Sequence, residues 1–118
     1  MSSRWHTVVV DAIDPARLAR WWAEVLDYRL LSEDGTEAVI GPAPDTYPQL
    51  VFNFVAEPKD GKNRLHVDLR PDDREAEVER LVDMGARHVD IGQGEDVSWV
   101  VLADPEGNEF CVLAAEES

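Results

Sequence analysis

The chain has 118 residues, enough for one hydrophobic core but not two, and its 44% apolar and 31% charged content is that of an ordinary globular protein. A formal net charge of −14 disfavours nucleic acid and anionic membrane surfaces as partners, and it would attract a cationic small molecule. No apolar run approaches the roughly 20 residues that span a bilayer. The start M-S-S-R-W-H-T lacks the apolar region of a secretory signal, and the single cysteine, Cys111, has no intrachain partner; both features predict a cytoplasmic protein.

Ser3–Asp11 reads as a strand with β-branched residues at its centre. Asp14-Pro15 then opens a helix, since Asp caps well and Pro fits the first turn. Leu18, Trp21, Trp22, Val25 and Leu26 give that helix one apolar face, and Asp27 tolerates the left-handed conformation that ends it. Three strands follow, Tyr28–Ser32, Thr36–Ile40 and Gln49–Ala56, the last two separated by the Pro-rich Gly41–Pro48 loop. The second half repeats the scheme. Leu65–Arg70 is a strand, and Pro71-Asp72-Asp73 starts a helix in which Glu75 is placed for a reciprocal cap on Asp72. Val78, Leu81 and Val82 form its stripe, and Gly85 ends it. Strands at Arg87–Ile91, Ser98–Ala103 and Glu109–Ala114 complete the order, the last two joined by a D-P-E-G-N turn.

The expected fold is therefore α+β: two β-α-β-β-β modules, about 3–57 and 63–115, forming a curved mixed sheet around a cup-shaped cavity within a single domain, 1–118. An apolar cup with a few polar groups is a default small-molecule site. No Ser-His-Asp ordering or CxxC spacing is present, and Gly92-Gln93-Gly94 lacks the following helix that a phosphate cradle needs.

Three segments carry a resemblance: D-x-x-D-P-A-R-L-A-R-W-W-A-E-V-L at Asp11–Leu26, K-N-R-L-H-V-D-L-R at Lys62–Arg70 and W-V-V-L-A-D-P-E-G-N-E-F at Trp99–Phe110. With the duplicated module they cover nearly the whole chain, which resembles the vicinal oxygen chelate superfamily. That group holds glyoxalase I, bleomycin-binding proteins, fosfomycin-resistance thiol transferases and extradiol dioxygenases. More narrowly, the chain is similar to actinobacterial glyoxalase-like domains. In the metal-dependent members a divalent ion on the cup floor polarises substrate oxygens. The resemblance places His66 at the second-half ligand position, and either His6 or Thr7 at the first. It gives Gln49 and Cys111 where those members carry glutamates.

The residues weigh against metal in part. His6, His66, Gln49 and Cys111 together would suit zinc or another borderline ion, but they offer at most one oxygen donor for a hard one. Cys111 lies among Phe110, Val112 and Leu113, so it also reads as a small core residue; as a ligand it must face the cup beside His66. His66 and Asp68 share one strand face, where Asp68 would hydrogen-bond His66 or orient it as a general base. Trp5, Tyr47, Phe52, Phe54 and Trp99 are the candidate ligand wall.

The leading expectation is a homodimeric small-molecule-binding protein that takes no cofactor and holds an amphipathic or cationic compound in an aromatic-lined cup. The alternative is a lyase, isomerase or dioxygenase using His66 and His6 to hold a divalent metal such as zinc, nickel, manganese or iron. A third is a structural module whose cup is filled by its own side chains.

Overall fold

A computed structural model describes residues 2–89 and 99–115. The chain divides into two compact units, Met1–Pro58 and Lys59–Ser118. Each holds one helix and one four-stranded mixed sheet, so both read β-α-β-β-β and the fold is α+β.

In the first unit, β1 (Thr7–Ala12) leads into α1 (Pro15–Leu26), followed by β2 (Arg29–Glu33), β3 (Glu37–Gly41) and β4 (Gln49–Phe54). The sheet order is β1-β4-β3-β2, with β1 parallel to β4 and the other pairs antiparallel. The Asp14 side chain accepts from the Arg17 N–H (3.2 Å), and Pro15 occupies the first turn. Asp27 closes the helix in the left-handed region at φ 56°, ψ 43°, and the Tyr28 N–H returns to the Ala23 carbonyl (2.9 Å). Leu18, Ala19, Trp21, Trp22 and Val25 are buried on one side of α1, which packs on β3 and β4. Ala38, Ile40 and Phe52 are among the buried sheet positions, and the register Ala38↔Phe52 and Ile40↔Leu50 puts them on one face. The opposite face carries Thr7, Val9, Val39 and Val51, and Val9 is 56% exposed.

In the second unit, β5 (Val67–Leu69), α2 (Arg74–Asp83), β6 (Arg87–His88), β7 (Trp99–Ala103) and β8 (Glu109–Leu113) follow in order. The sheet order is β5-β8-β7-β6, again with its first pair parallel. Leu81 of α2 and Leu102, Phe110 and Val112 of the sheet are buried, which marks the helix-covered face. The β7–β8 turn is built on Asp104, which is fully buried. Its carboxylate accepts from the Glu106 N–H (2.9 Å), the Asn108 N–H (3.0 Å) and the Asn108 side-chain amide. Gly107 takes φ +90°, a conformation open to glycine at little cost.

Several strand ends shift by one or two residues from the sequence reading, and three differences are larger or change a contact. Residues 3–6 precede β1 rather than joining it, and the Trp5 indole N–H bonds the Thr7 carbonyl (3.2 Å). β5 is three residues long rather than six. The α2 cap is Asp73, not Asp72: Asp73 accepts from the Ala76 N–H (3.1 Å), while Glu75 pairs with Arg74 and makes no reciprocal cap. Tandem aspartates offer two caps of equal chemistry, so the choice falls to the chain's entry angle. Residues 90–91 and 98 of the expected strands, and the Gly92–Gly94 loop, lie outside the described residues.

Candidate functional site

The face of the second sheet opposite α2 gathers the chemistry. Parallel pairing sets Asp68 of β5 against Cys111 of β8, and antiparallel pairing sets Val101 against Cys111 and Trp99 against Leu113. Since side chains alternate along a strand, Asp68, Cys111, Val101 and Trp99 share this face. His66 lies two residues before Asp68, on the same side. Its Nδ1 is 3.1 Å from Asp68 Oδ1 and 3.9 Å from Cys111 Sγ. The His66 and Asp68 side chains are each 48% exposed, whereas Cys111 is buried. One ligand atom from each of the three lies within 4.8 Å of the others.

Asp68 acts on both neighbours. As acceptor for the Nδ1 proton it leaves the His66 Nε2 lone pair free for a proton. Burial pushes the Cys111 thiol pKa up; the Asp68 carboxylate adds to this by charge and by hydrogen bonding, and the Lys62 ammonium opposes it. The resting thiol is therefore protonated and a poor nucleophile. Arg70 turns away, donating to the Ala114 carbonyl (2.7 Å). Glu109, two residues before Cys111 on the same face, is held by Lys59 Nζ (3.1 Å) and the Asn63 N–H (3.1 Å). Burial raises its pKa, but these hydrogen bonds and the Lys59 charge bring it below the ordinary glutamate value.

The other expected site residues sit in the first unit. His6 precedes β1 and stacks on Tyr47, with ring centroids 4.8 Å apart and planes at 21°. Its carbonyl accepts from the Gln49 N–H (3.1 Å). Gln49 is buried and gives its side-chain N–H to the Pro44 carbonyl (2.9 Å). Thr7, not His6, occupies the strand position opposite Gln49. Among the expected wall aromatics, Trp5 is 67% exposed, Phe54 50%, Tyr47 49% and Trp99 36%. Phe52 departs from that expectation. It is 1% exposed on the α1-covered face, so it is a core side chain. Asp68 was read as a partner of His66 rather than as an acceptor for the Cys111 thiol. Only the β5–β8 pairing brings it there, although its i, i+2 spacing from His66 was a usable signal.

A shallow cavity of about 370 Å³ lies between α2 and strands β6 and β7, with Val78, Val82 and Val100 among its lining residues. It is on the helix side of the sheet, away from His66, Asp68 and Cys111.

Residues 7–113 match the family described as Glyoxalase-like domain. The chain belongs to that family. Its place in the vicinal oxygen chelate superfamily also agrees with solved structures. A glyoxalase/bleomycin resistance protein/dioxygenase family enzyme from Burkholderia phytofirmans aligns with TM-score 0.70 and 17% identity, covering 93% of this chain and 97% of that one. The trypanothione-dependent glyoxalase I of Leishmania major aligns with TM-score 0.68 and 16% identity, covering 96% and 87%. A bleomycin-binding protein of Streptomyces verticillus, solved with copper(II)-bleomycin, gives TM-score 0.59 and 16% identity over 98% and 99%. At these identities the likeness is one of fold. No curated protein matches the sequence.

Proposed function

We propose that this glyoxalase-like chain binds a small amphipathic compound, preferentially cationic, by stacking it on aromatic side chains. The observation that carries the reading is the exposure of Trp5, Tyr47 and Trp99, large rings that the core does not consume. The charge of −14 adds the cationic preference. In this reading the grip needs no metal, and the protein works in the cytoplasm as a homodimer. That a structural neighbour is a bleomycin-binding protein supports the reading.

The test is quenching of tryptophan fluorescence by a cationic planar dye such as ethidium, after chelator treatment, against an anionic dye of similar size. The cationic dye should quench, and rising salt should weaken it. A Trp99→Phe variant that quenches identically removes Trp99 from the wall. Equal quenching by both dyes refutes the cationic preference.

One observation favours a second reading, a metal-dependent lyase, isomerase or dioxygenase: the convergence of His66, Asp68 and Cys111. Nitrogen, oxygen and sulfur donors fit a borderline divalent ion, which when bound would supply Lewis-acid polarisation. With its Nδ1 proton given to Asp68, His66 would move a proton at Nε2; with Nδ1 deprotonated, it would hold the ion beside Asp68 and Cys111. A bound ion raises the melting temperature as RT ln(1 + [L]/Kd), a gain that His66→Ala should remove. No stabilisation by zinc, nickel, manganese or iron refutes this second reading.

A further inference from the structure

The two units repeat one strand frame with different chemistry. In the first, Val9 lies opposite Val51 in the parallel pair, five residues ahead of the helix cap Asp14. In the second, Asp68 lies opposite Cys111, five residues ahead of the cap Asp73. Counting seven back from each cap gives Thr7 and His66. The frame that carries Thr7, Val9 and Val51 in one unit therefore carries His66, Asp68 and Cys111 in the other. Strand geometry alone accounts for their meeting; it does not account for three donors of three kinds.

The two separations from His66 are near those of ligands around a small ion, and all three ligand atoms lie within 4.8 Å of one another. Bonds of roughly 2.0–2.3 Å in a tetrahedron separate ligand atoms by about 3.3–3.8 Å. The observed 3.1 Å from His66 Nδ1 to Asp68 and 3.9 Å from His66 Nδ1 to Cys111 Sγ bracket that interval. Half-exposed His66 and Asp68 give an ion access, while buried Cys111 forms the inner wall.

We infer that His66, Asp68 and Cys111 form a three-ligand site for a zinc-class divalent ion, contained in the second unit and leaving one coordination position open. This deepens the metal reading, on which it rests, by adding Asp68 and dispensing with His6 and Gln49. Binding moves the His66 proton from Nδ1 to Nε2 and replaces the Cys111 thiol proton, which leaves to solvent as the sulfur–metal bond forms. A thiolate donor selects zinc or cobalt over magnesium and manganese.

The test uses the full chain without a histidine tag, stripped by chelator and titrated with cobalt(II). The sequence has one cysteine, so a near-ultraviolet thiolate-to-cobalt charge-transfer band in the unaltered protein can come only from Cys111. The expected result is a band saturating at one equivalent, displaced by zinc and not by magnesium. His6→Ala and Gln49→Ala should keep it. Asp68→Asn should weaken cobalt affinity about tenfold or more, and Cys111→Ser should abolish the band, with circular dichroism confirming that each variant is folded. Cobalt binding without the band, or binding lost in His6→Ala and kept in Asp68→Asn, overturns this ligand set while leaving the metal reading standing. No binding of cobalt or zinc by the unaltered chain overturns both.

Discussion

Replacing Phe52 with alanine separates a ligand wall from a core most sharply. Phe52 is 1% exposed, opposite Ala38 on β3 and beside Val10 on β1, on the sheet face that α1 covers. Transfer of a buried phenylalanine side chain accounts for about 1.5–3 kcal/mol, and the cavity left under Trp21 and Trp22's helix brings the total to about 3–5 kcal/mol. A domain of this size holds about 5–15 kcal/mol in all, so the loss is a large share. At roughly 4 °C per kcal/mol, the melting temperature should fall by about 12–20 °C. Phe54, two residues on and half exposed, should cost below about 1.5 kcal/mol when truncated. Thermal and urea unfolding, followed by far-ultraviolet circular dichroism, measures both. Dye quenching is then read below the Phe52→Ala midpoint, where it should be unchanged per folded molecule. A Phe52→Ala protein destabilised by less than about 1 kcal/mol and unable to quench would refute the core assignment.

Two further perturbations address the second unit. Asp104→Ala strands the Glu106 and Asn108 donors of the β7–β8 turn and should cost about 2–4 kcal/mol in urea unfolding; a change within about 0.5 kcal/mol would contradict the hydrogen-bond pattern. Glu109→Gln tests the pair with Lys59 through pH. Because the folded pKa of Glu109 is lowered, its stabilisation is present above the unfolded pKa and lost as pH falls through the folded one. Wild type should therefore exceed the variant by about 1 kcal/mol at neutral pH, with the gap closing in the acid range; a gap that widens on acidification refutes the assignment.

What the sequence disclosed depended on how local each signal was. Helix α1 was legible at both ends because Asp14, Pro15, the apolar stripe and Asp27 act within a few residues of one another. The cap of α2 was one residue off because Asp72 and Asp73 are chemically alike. The outline of the two modules followed from repetition of the whole element order. Orientation was harder. Cys111 sits between Phe110 and Val112, so both faces of β8 look apolar and alternation cannot say which one the helix covers. Phe52 and Phe54 share a face, yet only Phe52 lies deep beneath the helix. The meeting of Asp68 with Cys111 needed the parallel register of strands far apart in sequence.

A carboxylate that could serve in place of Cys111 is present on the same face, at Glu109, and its hydrogen bonds show why it does not compete. A shift of two residues along β8 preserves the face, so orientation alone would let Glu109 stand in. Its two oxygens, however, are already taken by Lys59 Nζ and the Asn63 N–H, and together these tie residues 59–63 to the start of β8. Drawing Glu109 toward His66 would break a charge-assisted pair and leave a part-buried ammonium without its counter-charge, holding only the Gly61 carbonyl. Among the described residues Asp68 has no such anchor; its close partners are His66 and Cys111. Packing does not require that trio either, since Val9 and Val51 fill the corresponding positions of the first unit. The polar group at this point of the second sheet is thus surplus to the needs of the frame, and ligand or ion binding is the role its chemistry fits.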